Sequence, residues 1–363
     1  MNSRERIIAT FRGEKTDRVP IAELWIDSSI VKQIIGEDDI NKLVEHLDLD
    51  IVTVPTMIYA DDEVEWVEKD REMPIFRDKW GALQTLTHDA IPIPTSPARI
   101  ETPEDLASYT PPDPADSPVI EKIRRLKEKY PNGEKAIAVV GESGWAPALF
   151  LRAGLENLLL DFAMRPEFVK DIMKIGTEYY SALYPMVLEA GADICFLGDD
   201  YSDKNGPMMS PALFEEIILP CDAQVISVIK KAGGYCIKHI DGNIQKIIDM
   251  LVSTGLDGLG PLEDVPEMEL DKILDRYPGK IAVMGNVSVD LLSRGTEEDV
   301  IAATKRLLAT VSKKGGHIMS SGNTIAHSVK PENFLAMVKT TKEFGRYPID
   351  VERLTSDLEH RKQ

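Results

Sequence analysis

A histidine and an aspartate two positions apart, His239 and Asp241, close the short run Tyr235-Cys-Ile-Lys-His-Ile-Asp-Gly-Asn243. Lys230, Lys231, Gly233 and Gly234 punctuate the chain before it, and Gly242 ends it. A mostly apolar run of this length between glycines reads as a buried strand, and residues i and i+2 of a strand share one face. Both polar groups are therefore expected at the carboxyl end of a strand, where parallel α/β folds carry their sites. An imidazole beside a carboxylate can ligate a divalent ion or move a proton. The same pair also occurs as a plain ion pair that orients a loop.

The elements that must position this pair repeat along the chain. Apolar, β-rich runs occur at 19–25, 51–55, 136–140, 194–197, 256–259, 280–284 and 317–320, which with the His239 run make eight. Helical patterns separate them, at 29–36, 39–47, 119–130, 146–153, 155–164, 167–189, from Ser210 and Pro211 onward, at 243–254, at 297–312 and from Pro331. A first helix is expected after Ser3 as cap, with Ile7, Ile8 and Phe11 on one face. Eight strands alternating with helices specify a (β/α)8 TIM barrel, one domain over 1–363. Residues 61–118 depart from the alternation: Val64, Trp66, Phe76 and the run 83–87 suggest a β-hairpin excursion after the second strand, followed by a proline-rich connection. No dinucleotide-binding or P-loop signature interrupts the pattern.

Collecting the residues just past the strand ends gives Trp25, Asp27, Thr56, Glu142, Trp145, Asp199, Asp200, His239, Asp241, Glu263, Asn286, Ser321 and Asn323. Such a rim is acidic, with almost no lysine or arginine. His239, Asp241, Asp199 and Asn323 are the candidate catalytic residues. A divalent metal such as zinc would take His239 and Asp241, with Glu142 as third ligand and Asp199, Asp200 or Glu263 as alternatives. A slip of one residue in register would exchange Asp199 and Asp200. Trp25, Asp27, Met57, Tyr59, Trp145, Phe150 and Met208 are the candidate substrate-binding residues, although aromatics and methionines are also ordinary packing material.

Composition narrows the partners. The 363 residues carry 61 acidic against 42 basic side chains, a net charge of −19, and 43% are hydrophobic. That charge opposes nucleic acid and anionic membrane surfaces as partners. The amino terminus is charged where a signal peptide is apolar, and no run of ~18 apolar residues occurs, so a cytoplasmic protein is expected. Cys195, Cys221 and Cys236 lack metal-binding spacing and read as free thiols.

The chain resembles the uroporphyrinogen decarboxylase superfamily, which includes corrinoid-linked methyltransferases. The carriers are Arg4-Glu-Arg-Ile, Thr16-Asp-Arg-Val-Pro20, Asp78-Lys-Trp-Gly81, Gly206-Pro-Met-Met-Ser-Pro211 with Leu219-Pro220, His239-Ile-Asp-Gly-Asn243, Ser321-Gly-Asn323 and Pro331-Glu-Asn333. The resemblance implies a (β/α)8 barrel, and a homodimer by analogy. True decarboxylases hold the substrate's carboxylates with arginines after the first strand; the matching stretch here, Trp25-Ile-Asp-Ser-Ser29, has none. Their tyrosine falls near Phe150 and their carboxyl-terminal histidine on Asn323, and of their catalytic groups only an aspartate near the second strand is matched, by Asp50. The zinc-dependent thiol methyltransferases carry His-x-Cys and a later Cys, where this chain has His239, Asp241 and Asn323. The resemblance thus points to the branch that moves a methyl group from a small donor, an aryl methyl ether by preference (O-demethylation), to the cobalt of a corrinoid (cobalamin) on a partner protein. Two other readings stand beside it: a decarboxylase-like lyase on a smaller substrate, with Asp50 and His239 as acid and base, and a non-catalytic barrel that binds a tetrapyrrole or a partner.

Overall fold

The computed structural model describes residues 1–56, 64–87 and 92–360. In chain order the strands are β1 (Ile51–Pro55), β2 (Glu65–Glu68), β3 (Ile75–Arg77), β4 (Leu83–Leu86), β5 (Pro92–Pro94), β6 (Ala136–Gly141), β7 (Ile194–Leu197), β8 (Ser202–Asp203), β9 (Gly206–Pro207), β10 (Tyr235–Lys238), β11 (Gly258–Leu262), β12 (Ala282–Val287) and β13 (His317–Ser321). A seven-stranded sheet runs β1-β6-β7-β10-β11-β12-β13, every neighbouring pair parallel.

The segment 19–26 closes this sheet into a TIM-barrel-like ring. Met319 N donates to Pro20 O at 2.9 Å and Ala22 N to Met319 O at 3.1 Å, while on the other side Asp50 N donates to Ile21 O at 2.7 Å. The segment is not the regular first strand expected over 19–25. It makes isolated parallel bridges, Ile21 with Met319 and Ile26 with Ile325, and Pro20, lacking an N–H, can only accept.

The seven strands of the parallel sheet are mostly apolar because both of their faces are buried. Ala136, Ala138, Val140, Ile194, Phe196, Ile237, Met284 and Ile318 form one cluster with Ile7 and Phe11 of the helix Ser3–Phe11. Alternate residues such as Ile137, Val139, Cys195, Leu197 and Val283 pack into the larger cluster with the helices. The amino-terminal helix, capped by Asn2 rather than Ser3, plugs the barrel floor: Arg4 reaches Asp193 at 2.6 Å and Phe11 stacks on Tyr235 at 5.2 Å. Polar groups are left to the opposite, carboxyl end.

Beyond β1 the chain builds a four-stranded antiparallel sheet, β2-β3-β4-β5, where a single hairpin was expected. The helix expected over 243–254 is confined to Ile248–Ser253. Gly242 has φ +73, and a Cβ there would lie 2.2 Å from the Asp203 backbone. The chain is thereby drawn against β8, with Asn243 N donating to Asp203 O at 2.8 Å, before the helix begins. The strand expected at 256–259 starts two residues later, and that at 280–284 runs on to Val287, carrying Asn286 inside it. Among the described residues no helix is long and apolar enough to cross a membrane.

Candidate active site

β7 and β10 are parallel neighbours, with Lys238 paired to Leu197 and His239 N bonded to Leu197 O at 2.9 Å. Their carboxyl ends therefore deliver Asp200 and His239 to one place. Nε2 of His239 lies 3.3 Å from Oδ1 of Asp241 and 3.8 Å from Oδ1 of Asp200. Asp241 N donates to the same Asp200 oxygen at 3.0 Å. One ligand atom from each of Asp200, His239 and Asp241 lies within 4.8 Å of the others, the separation a single cation would require them to close.

The imidazole orientation is fixed from behind. Nδ1 lies 2.9 Å from Pro261 O, an atom that can only accept, so Nδ1 carries hydrogen and Nε2 faces the carboxylates. This is how metal-ligating histidines are held, with the other ring nitrogen donating to a carbonyl. Burial alone would lower the His239 pKa, but Asp200 and Asp241 outweigh it and bring it up to about 9. Burial moves Asp200 up to about 6, with His239 opposing the rise and Asp241 adding to it, although 42% of its side chain still meets solvent. Asp241 is desolvated too, yet its bonds to His239 and Asn323 hold it below the usual carboxylate range.

Asn323 joins this cluster. Its Nδ2 donates to Oδ1 of Asp241 at 2.8 Å and to Oε1 of Glu263 at 3.3 Å. Glu263 in turn accepts from Gly242 N at 2.9 Å. The structure thus brings together His239, Asp241 and Asn323, with Asp200 beside His239 and Asp241 as the third group able to hold a cation.

Other expected site residues are placed elsewhere. Asp199 is fully buried and its oxygens accept from Ser143 N at 2.6 Å and Ala146 N at 2.8 Å. It anchors the start of the helix Trp145–Leu151 instead of facing the mouth. Glu142 is also fully buried, takes the Tyr180 hydroxyl at 2.9 Å, and does not belong to the ligand cluster. Trp145 is core, packed on Phe162 at 5.5 Å and Tyr201 at 6.2 Å. Asp27 caps the helix Ser28–Ile35, bonding Ser29 N at 2.8 Å. Phe150 packs half-buried against the core. Trp25 and Met208 stay half-buried on segments that serve the site: Trp25 O accepts from Ile325 N at 3.0 Å, two residues past Asn323, and Met208 N donates to Tyr201 O at 3.0 Å, beside Asp200. Met57 and Tyr59 lie outside the described residues.

Asp50 is at the wrong end for catalysis with His239. It precedes β1, at the barrel floor, and its oxygens are taken by Arg6 at 2.6 Å, Arg18 at 2.8 Å and Ile21 N at 2.8 Å. An acid–base pair of Asp50 and His239 is therefore excluded by position.

Among the buried charged residues that the sequence reading missed, two lie close to the site. Lys238, fully buried, donates to Asp199 O at 2.9 Å and stands 3.7 Å from the Asp199 carboxylate. Glu23 is buried beside Ser321. Each is a charged residue inside an apolar run, which was the available signal.

An imidazole and two carboxylates at the carboxyl mouth of an α/β barrel stand where barrel enzymes carry their active sites. The chain belongs to the uroporphyrinogen decarboxylase (URO-D) family, whose model matches residues 81–344. It is 24% identical to the uroporphyrinogen decarboxylase of Geobacter metallireducens over 69% of this chain and 73% of that one. With the enzyme of Nitrosomonas europaea it shares 23% identity over 48% of each chain, so it spans about half the length of some of its curated relatives. A methyltransferase from Methanosarcina mazei has the same fold, with a TM-score of 0.71 at 18% identity over 95% of this chain and 99% of that one. A B12-independent methionine synthase from Shewanella sp. W3-18-1 matches with a TM-score of 0.52 at 12% identity over 84% of each chain.

Proposed function

We propose that this protein is a methyltransferase that moves a methyl group from a small donor, an aryl methyl ether by preference, to the cobalt of a corrinoid held by a separate protein. The observation that carries the reading is the Asp200, His239 and Asp241 cluster, with no arginine on the segments that follow the strand ends. A substrate bearing several carboxylates needs a cationic clamp, and an acidic mouth repels it. The ligand set, one imidazole and two carboxylates, lacks the thiolates that favour soft metals and suits a divalent ion met by oxygen. An ether oxygen is the matching substrate group.

Cob(I)alamin is itself a strong nucleophile, so the residues need only hold the donor in line and receive the leaving oxygen. Its electron pair forms the cobalt–carbon bond as the carbon–oxygen bond breaks, and the bonding pair stays on the aryl oxygen, which then takes up a proton. A divalent ion held by Nε2 of His239 and the carboxylates of Asp200 and Asp241 would supply Lewis-acid stabilisation of that oxygen. Pro261 O fixes the imidazole so that Nε2 points to the site, and Asn323 holds the Asp241 carboxylate. Trp25 and Met208 offer half-buried apolar surface for an aromatic ring. The carboxyl mouth is also where the corrinoid protein must dock.

The test is transfer from ring-methoxylated arenes to a cob(I)alamin-loaded corrinoid protein, followed by the absorbance of methylcobalamin. Wild type is compared with His239→Ala and with protein treated with a chelator. Growth of the methylcobalamin spectrum in wild type but not in His239→Ala is expected. Absence of transfer across a panel of aryl ethers overturns the proposal, and unchanged partner binding by His239→Ala in that case favours a binding barrel.

A further inference from the structure

Ser321 stands between a buried glutamate and a main-chain carbonyl. Glu23 lies in the segment that closes the barrel, opposite the end of β13. Its Oε1 accepts from Ser321 N at 2.9 Å, and its Oε2 lies 2.6 Å from Ser321 Oγ. The same Oγ lies 2.5 Å from the main-chain oxygen of Asn323. A serine hydroxyl has one hydrogen, and a carbonyl oxygen has none. Two contacts of this length from one hydroxyl therefore need a second hydrogen, and Glu23 is the group able to supply it. Were Glu23 ionised, one of the two oxygen pairs would face each other at 2.5 or 2.6 Å without hydrogen.

The surroundings agree. Glu23 is 4% exposed, and among the described residues it has no cationic partner. An isolated carboxylate in such a place is costly, and it neutralises instead. Burial, only partly offset by the bonds from Ser321, pushes its pKa up to about 8.

We propose that Glu23 is held as a neutral carboxylic acid and is the positioning residue for Asn323. Oε2–H donates to Ser321 Oγ, and Oγ–H donates to Asn323 O. Asn323 carries the effect into the site: its Oδ1 accepts from Thr324 N at 2.7 Å, and its Nδ2 reaches Asp241 and Glu263, the charged groups at the end of this chain of bonds. Loss of the Glu23 proton would turn the serine hydroxyl toward Glu23 and release the backbone that aims the Asn323 amide. The role in methyl transfer rests on the function proposed above; the protonation state does not.

Two measurements separate those levels. The infrared difference spectrum of wild type minus Glu23→Gln at neutral pH is expected to show the carbonyl stretch of a protonated carboxylic acid, which Glu142 cannot contribute because both proteins contain it. Its absence overturns the proposal, whatever the protein catalyses. Titration with Co2+ reads the positioning role. Glu23→Gln keeps a donor for Ser321 Oγ and an acceptor for Ser321 N, so it is expected to bind Co2+ as wild type does. Glu23→Ala is expected to lose about 10- to 100-fold in affinity, as outer-shell partners commonly do. Ser321→Ala, which leaves Glu23 in place, should lose as much. Equal impairment of Glu23→Gln and Glu23→Ala, or normal binding by Ser321→Ala, refutes positioning. If wild type itself binds no Co2+ while the infrared band is present, the metal reading fails and the neutral acid stands.

Discussion

Asn323 gives one amide nitrogen to two carboxylates, at 2.8 Å to Asp241 and 3.3 Å to Glu263. Those acids come from the ends of β10 and β11, and Asn323 follows β13, so this one side chain ties three parts of the ring together. Asp241 is the partner that also touches His239. Replacing Asn323 with alanine frees Asp241 to turn away and leaves two carboxylates without their shared donor. Divalent-ion affinity is expected to fall about 10- to 100-fold with the fold intact. Titration of Asn323→Ala with Co2+, beside its circular dichroism spectrum, checks this; unchanged affinity would show that Asp241 needs no support.

His239 is the group through which both readings of the leaving oxygen pass, whether by proton or by ion. Its removal should cost about 10²- to 10⁴-fold in the methyl-transfer rate, the range for loss of a positioned acid or base. The loss should appear in single-turnover absorbance with saturating donor, which separates chemistry from binding. A drop confined to donor affinity would place His239 in binding alone.

Much of this arrangement could be read in the chain, and the misses have physical causes. The i, i+2 spacing of His239 and Asp241 and the run Ser321-Gly-Asn323 marked groups that do meet. Asp199 and Asp200 could not be separated, because the deciding fact is tertiary: Ser143 N and Ala146 N, past the end of the neighbouring strand β6, take Asp199 and leave Asp200 to the mouth. Trp145 looked like a pocket residue, but the helix it begins packs inward on Phe162 and Tyr201. Residues 19–25 read as a strand because they are mostly apolar, whereas Pro20 and the place of the segment between two edges leave it only bridges. Asp50 is matched to the family on sequence, yet the arginines that claim it lie far off in the chain, at Arg6 and Arg18.

Lys238 sits behind the site with Asp199 and Asp222. Asp222 accepts from Ser143 Oγ at 2.6 Å and Tyr201 OH at 2.8 Å, so both acids are hydrogen-bonded and Lys238 supplies the charge between them. Burial raises the Asp222 carboxyl, and Lys238 opposes that rise. Lys238→Met would leave two buried acids without their cation, a loss of about 3–5 kcal/mol for a broken buried pair. Urea unfolding should show it. The double variant Lys238→Met with Asp222→Asn is expected to recover part of the loss, and failure to recover would mean that Lys238 acts through packing on Tyr201, whose ring lies 4.8 Å from its Nζ.

Glu142 permits a pH test of the buried acids. It is fully buried, and Oε1 has no hydrogen-bond partner. Burial raises its pKa to about 8; Lys79 and the Tyr180 hydroxyl oppose the rise, and Asp199 and Asp78 add to it. In the unfolded chain the same carboxyl titrates near 4.5. Between these values the folded state holds a proton that the unfolded state has released, so folding stability falls as pH rises. The contribution is fully present below about pH 4.5 and is lost by about pH 8, above which it changes no further. Glu142→Gln cannot titrate. Its melting temperature relative to wild type is therefore expected to climb between pH 5 and 8 and then level off. Glu23 shifts the same way, to about 8, and it lies in a different network, so Glu23→Gln should add its own increment independently. Parallel melting curves for wild type and Glu142→Gln across this range would mean that Glu142 is already ionised in the folded protein, with Lys79 outweighing burial.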